Sequence, residues 1–442
     1  MAILIKILQF FLSLSILVII HEFGHFAAAK IFKVRVEKFY LFFDLGGFKL
    51  FKFKRGETEY GMGWLPLGGY VKIAGMIDES MDKEQMKLPP QPWEFRTKPA
   101  WQRFFIMFAG VFMNVVLAII IYIGMLSHYG EQYLPTSEVN KYGISADSLA
   151  QSFGLRDGDK ILAVNGKPVE NFKRIQAELI LDNSQTIEIE RDGKRQVIAL
   201  PDDATAKILE HQNASFISSR TPFIIGGFSD NSLAKDAGMK ENDVIIGIND
   251  IPTPYYQDFT REIKAFCDKD VNIVTLRNTD TIAYTIHLTP EGIIGVYLAP
   301  LNTIFNFSTR EYTFLEAIPA GAKKAFNGIA DYWKQLKLIF KPSTKAYESV
   351  GGFISIGKIF PDTFDWGSFW SLTAFLSIAL AIMNILPIPA LDGGHILFLL
   401  IEIITRRKPS DKFMEIAETI GLVIVLGLLI FANGNDIIKL FK

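Results

Sequence analysis

A single cysteine, Cys267, stands in the 442 residues. No intramolecular disulfide can form and a cysteine-based zinc site is excluded, so a bound metal would have to be held by His, Asp or Glu. Net charge is equally scarce: 46 Lys and Arg against 47 Asp and Glu leave −1. That balance carries no polyanion-binding signal and argues against nucleic acid as a partner. The sequence also lacks the GxSG and GxGD motifs of serine and aspartyl intramembrane proteolysis. What it has in excess is apolar surface. Hydrophobic residues make up 49% of the chain and include 37 Phe, which suits a protein part membrane-embedded and part water-soluble.

The apolar run ILQFFLSLSILVII (Ile7 to Ile20) leads directly into His21-Glu22-Phe23-Gly24-His25. An ionisable side chain at the centre of a bilayer helix costs about 2.5–3.5 kcal/mol on insertion scales, so a polar cluster in such a helix needs a reason. On a helix, His21 and His25 lie one turn apart on the same face and can hold one zinc ion. Glu22 sits beside them as a potential general base. A secretory signal would end in a small-residue cleavage site rather than in His21-Glu22, so the stretch reads as a retained first membrane helix.

Three further spans follow. Phe104 to Leu126 runs 23 residues without a charge, and Asn114 near its middle reads as an inter-helix hydrogen bond. The third span begins near Phe369 and breaks at Pro387, Pro389 and Asp392-Gly393-Gly394. Irregular backbone at membrane depth is tolerated only where protein buries it or it lines a wet cavity, which makes Asn384 and Asp392 site candidates. The plainer alternative is an ordinary helix end with Asp392 at the membrane surface. His395, three residues further on, is a competing ligand that reads more readily as a surface residue. Ile420 to Phe431 makes a fourth span. Basic residues concentrate in the loops 31–100 and 396–416. The positive-inside rule places those loops in the cytoplasm, and both termini and the region after the second span outside it.

Between the spans, FKLFKFKRGETEYGMGWLPLGGYVKIAG alternates apolar and polar residues between glycines, a hairpin-sheet pattern. Such a sheet either packs on the membrane face or dips beside the zinc. Further on, Asp147 to Gly166 aligns with Asn231 to Asp250 at an offset of 84 residues, each copy a short helix, a glycine turn and a strand. Thr313 to Lys341 carries apolar residues at steps of three and four, including Phe314, Ile318, Phe326 and Trp333. It predicts an amphipathic helix on the membrane surface or on the body of the protein.

HEFGH in the first span, PLGGYVKIAGM in the loop, the repeated module and NILPIPALDGG in the third span together resemble a bacterial site-2 protease, of the regulator of sigma-E protease type. The resemblance covers essentially the whole chain. It implies His21, His25 and Asp392 as zinc ligands, Glu22 as general base and Asn384 as a substrate-orienting group. Gly68, Gly69 and Tyr70 match a membrane-dipping β-sheet that receives substrate, and the repeat matches tandem PDZ domains that bind a peptide or act as a size filter. Two places depart from the family pattern: Leu45-Gly46-Gly47-Phe48 early in the loop, and Gly351-Gly352-Phe353 where Ser-Gly-Pro is usual.

The expected fold is a polytopic α-helical membrane protein with four transmembrane helices, a membrane-associated β-hairpin sheet and two inserted α/β PDZ domains. Its segments are the first span (1–30), the sheet loop (31–100), the second span (101–126), the two PDZ domains (127–220 and 221–305), an amphipathic connector (306–366), the broken third span (367–395), a cytoplasmic loop (396–416) and the fourth span (417–434). The implied activity is zinc-dependent cleavage of single-span membrane proteins within the lipid bilayer of the bacterial inner membrane, with a trimmed anti-sigma factor or remnant signal peptides as substrates. An inert PDZ-bearing scaffold is the alternative.

Overall fold

A computed structural model of the chain describes residues 2–76, 89–182, 184–211 and 216–441. They form two compact units, one of residues 1–130, 311–340 and 347–442, the other of residues 131–310 and 341–346.

The first unit contains helices α1 (Ala2–Ile31), α2 (Ala100–Tyr129), α3 (Phe314–Ile339), α4 (Phe353–Ile359), α5 (Trp366–Ile385), α6 (Asp392–Thr405) and α7 (Asp411–Leu440). Among the described residues, α1, α2, α5 and the Lys412–Lys439 stretch of α7 are long and apolar enough to cross a membrane. Helix α2 is the hub, with α1, α3, α5 and α6 all packed against it.

The expected loop 396–416 is mostly helix. Ile396 to Ile404 is apolar apart from Glu402 but too short to cross a bilayer, and it buries Ile396 and Leu399 against α2 instead. Only residues 406–410 are left as a link before α7. A largely buried ion pair ties α6 to α2, with Arg103 Nη2 at 2.5 Å from Glu402 Oε1. Breaking one side of such a pair strands the other charge. Glu402→Ala is expected to destabilise the first unit by about 3–5 kcal/mol, read as a lower melting temperature in detergent.

Helix α3 starts at a capping box formed by Thr313 and Glu316 and packs along α2 and α5. Along its N-terminal half the face it buries is not the large apolar stripe of the sequence reading, although Leu336 of that stripe is buried further on. Ala317, Gly321 and Ala325 are buried, whereas Phe314, Ile318, Phe326 and Trp333 are exposed. Small residues let helices approach closely, and in lipid a large apolar side chain gains little by turning inward.

The loop 31–100 carries a four-stranded sheet of β1 (Val36–Phe43), β2 (Lys49–Arg55), β3 (Thr58–Gly63) and β4 (Leu65–Ile73), in the order β2-β3-β1-β4. The hairpin pattern anticipated the last three strands. It missed β1, whose central Phe-Tyr-Leu-Phe-Phe shows no alternation. Strand β1 runs parallel to β3 and antiparallel to β4, separating them and leaving β4 at an edge. The sheet is therefore mixed rather than a run of hairpins. The buried Tyr40 hydroxyl donates to Glu59 at 2.6 Å and Lys49 donates to the same carboxylate at 2.9 Å. These bonds hold the Glu59 carboxyl down at about 2, from an ordinary 4.5. A depressed carboxylate stabilises above its unfolded pKa, so this anchor is fully present above pH about 4.5 and fades only as pH falls towards 2.

In the second unit the repeat is realised strand for strand. Lys160–Val164 and Val244–Ile248 occupy equivalent places, as do Phe172–Leu181 and Tyr256–Glu262, and Thr186–Arg191 and Asp270–Arg277. Asn165 and Asn249 both take a left-handed backbone conformation and accept backbone N–H groups from the following strand. Each copy also holds a buried Asp in a two-pronged ion pair, Asp159 with Arg191 and Asp243 with Arg277. The arginines lie beyond the aligned stretches, which end at Gly166 and Asp250, and 86 rather than 84 residues apart.

In the first unit, the turn at Gly351-Gly352-Phe353 is fixed by α7. The Phe353 and Ser355 N–H groups donate to Asn433 and Asp436, closing the N-terminus of α4.

Candidate metal centre

The helical spacing of His21 and His25 turns both imidazoles towards α2, where Gly110 makes room. A Cβ built on Gly110 would fall 2.3 Å from His25 Nε2 and 2.9 Å from His21 Cε1. Gly110→Ala is therefore expected to displace the imidazoles and lower zinc stoichiometry in protein that still extracts as a folded species, as metal analysis would show.

The third group arrives from the break after α5. Pro387 and Pro389 end that helix at Ile385, Ala390 takes a left-handed φ of 81°, and α6 opens on Asp392. Gly393 then presses against the end of α5, where a Cβ would lie 2.1 Å from the Leu386 carbonyl oxygen. Asp392 Oδ2 comes to 3.0 Å from His21 Nε2 and 3.4 Å from His25 Nε2, and the two Nε2 atoms are 3.2 Å apart. A tetrahedral zinc with ligands at about 2.0–2.1 Å would separate them by about 3.3 Å. The donors are two imidazoles and one carboxylate, a set zinc accepts, and all are largely buried. Asp392 Oδ2 lies inside without a well-formed hydrogen bond among the described residues, as a ligand oxygen aimed at a cation would. The residues fit the ion.

His25 Nδ1 lies 2.9 Å from the Ile106 carbonyl oxygen. Donating there fixes the tautomer that leaves its Nε2 lone pair for a metal. His395, the competing ligand, instead faces Glu418 of α7 at 3.6 Å. Asn384 is brought to the site, its amide nitrogen 3.3 Å from His21 Nε2.

A cavity of about 570 Å³ opens beside the three groups. Glu22 lines it, as do Gly68, Gly69, Tyr70 and Val71 of β4. The sheet thus lies beside the candidate ligands, the sharper of its two expected placements. The Val71 backbone N–H faces the Glu22 carboxylate. Tyr70 donates its hydroxyl to Asp44 at 2.9 Å, which fixes the ring at the cavity wall. Sequence reasoning missed Gly110 and Ile106, and it read Asn114 as an inter-helix hydrogen bond, which it makes, without naming His21 as the partner. A glycine and an asparagine four residues apart in an uncharged span were the available signal.

The model of peptidase family M50 matches residues 9–428. A candidate zinc metalloprotease of Rickettsia conorii is 30% identical over 450 residues, covering 99% of this chain and all of its own. Similarly named proteins of Neisseria meningitidis and Vibrio cholerae are 26% and 28% identical, each over at least 98% of both chains.

Proposed function

The chain belongs to peptidase family M50, and from its site we propose that it is an intramembrane zinc endopeptidase that cleaves the membrane segment of single-span proteins. One observation carries the reading: His21, His25 and Asp392 converge beside Glu22, at the wall of a cavity lined by a strand that is outermost among the described residues.

In this reading His21, His25 and Asp392 hold the ion. Three protein ligands leave a position open, the mark of a catalytic rather than a structural site. Bound zinc supplies a Lewis acid that activates water and polarises the scissile carbonyl. Glu22 takes the proton from the attacking water and passes it to the leaving amine. Asn384, beside His21, orients the substrate carbonyl through its amide.

A helical substrate keeps every backbone carbonyl hydrogen-bonded within itself, so it must unwind before attack. Strand β4 offers the replacement. Its Gly68 to Val71 edge faces the cavity, and an unwound segment added there regains backbone hydrogen bonds while passing Glu22. Proline at the free-edge positions of β4 is expected to cut turnover of a single-span substrate while zinc content stays at the wild-type level. Normal turnover by several such variants would sink strand addition.

The repeated modules of the second unit are proposed as PDZ domains, binding an extended peptide or filtering substrates by size. The positive-inside pattern supports a multi-pass placement in the bacterial inner membrane, with those modules and both termini on the periplasmic side and the sheet loop on the cytoplasmic side. A membrane-bound anti-sigma factor already trimmed by another protease, or a remnant signal peptide, presents the required single span. The whole reading is tested by metal content and cleavage of a single-span model substrate by the purified protein. Zinc with cleavage supports it; neither zinc nor cleavage supports the inert scaffold.

A further inference from the structure

The geometry points to Asn114 as the residue that positions His21 for zinc, by accepting the His21 Nδ1–H through its side-chain carbonyl. The inference rests on the ligand set proposed above and assigns a residue that set does not include.

Asn114 sits in the middle of α2 with no exposed surface. Its amide nitrogen Nδ2 stands 3.1 Å from His21 Nδ1, and its Oδ1 is buried without a hydrogen-bond partner among the described residues. A buried carbonyl oxygen left unpaired is costly, because it has given up its hydrogen bonds to water. An amide presents its oxygen or its nitrogen to a neighbour by a half-turn about one bond, and the hydrogen-bond network decides which. Only one orientation serves a metal ligand. His21 can offer its Nε2 lone pair to the point shared with His25 Nε2 and Asp392 Oδ2 only when its proton is on Nδ1. That proton then needs an acceptor, and the half-turn puts Asn114 Oδ1 where Nδ2 stands, within reach of it. Oxygen towards Nδ1 satisfies both groups at once.

The two histidines are then held alike. Both are oriented from α2, His25 through the Ile106 carbonyl and His21 through Asn114. Asn114 is itself fixed from the other side, because Ser377 of α5 donates to its backbone carbonyl at 2.7 Å. An outer partner that fixes the tautomer of a metal-ligating histidine typically contributes 10- to 100-fold to metal affinity or activity.

The test is zinc affinity of the full-length purified chain, measured by competition with a chromophoric chelator, for wild type, Asn114→Leu, Asn114→Asp and Ser377→Ala. Asn114→Leu, which has no acceptor, is expected to lose 10- to 100-fold in affinity. Asn114→Asp, which can only accept, is expected to match or exceed wild type. Ser377→Ala, which removes the other contact of Asn114 and spares its amide, is expected to stay within about threefold of wild type. Wild-type affinity in folded Asn114→Leu would overturn the inference, as would an equal loss in Asn114→Asp or in Ser377→Ala. If the leucine variant does not fold, the aspartate variant decides alone, because a loss there means that Asn114 does not act as an acceptor. A wild type that holds no zinc overturns the ligand set as well.

Discussion

Glu22→Gln is expected to abolish measurable cleavage of a single-span substrate while zinc stoichiometry stays at the wild-type level. Gln has the shape of Glu and still presents an oxygen towards the Val71 N–H, so the local packing is retained. What it loses is the capacity to accept a proton from the attacking water and to return it to the leaving amine. A positioned general acid or base contributes about 10²–10⁴ in rate, and in the proposed reading Glu22 serves both steps, so the loss in kcat is expected towards the upper end. His21 and His25 keep their backbone positions and Asp392 comes from another segment, so the ion has no reason to leave. Two measurements on one preparation settle it: metal content, and initial rate against substrate concentration. Undiminished cleavage removes Glu22 as base. Loss of zinc together with cleavage makes Glu22 a structural member of the site.

Asp392→Ala is expected to lower zinc affinity by more than 100-fold and to abolish cleavage with it. The bound on the effect comes from comparison: removing an outer partner of a ligand already costs 10- to 100-fold, and Asp392 is read as a ligand itself. It is also the only carboxylate in the group, so its loss leaves two neutral imidazoles to hold a doubly charged ion in a buried setting. The fold should survive, since α6 stays anchored to α2 through Arg103 and Glu402 and through Ile396 and Leu399. In wild type, a chelator should stop cleavage and added zinc should restore it; in Asp392→Ala, the same zinc concentration should not. Zinc bound with wild-type affinity by the variant would mean that another group completes the set. His395→Ala, by contrast, should leave zinc affinity unchanged, because His395 points to Glu418.

Most of the first unit's helices could be read from the chain because lipid imposes a simple condition. A spanning segment must satisfy its own backbone and be apolar for about 20 residues, and both properties are local. HEFGH was legible for a related reason: two ligands four residues apart on a helix share a face whatever surrounds them. The repeat was legible through its glycines and asparagines, whose left-handed turns depend on residue type. The failures have a common cause too. Strand β1 was overlooked because Phe39 to Phe43 are apolar on both faces and show no alternation, and its place between β3 and β4 is a matter of pairing partners. The stripe on α3 gave the amphipathic helix packed on the body of the protein but not its inward face, because in lipid the small residues Ala317, Gly321 and Ala325 turn inward.

By itself the sequence determined the spans, the paired histidines with Glu22, and the break in the third span that supplies Asp392 and Asn384. Each is a property of neighbours along the chain. Only the tertiary structure decided that Asp392 meets His21 and His25, that Gly110 admits the imidazoles, that Asn114 abuts His21, and that β4, outermost among the described strands, shares a cavity with Glu22. These depend on how helices cross and which strand lies outermost. Such relations are set by close packing between segments tens to hundreds of residues apart, where a single Cβ or one hydrogen bond decides the fit.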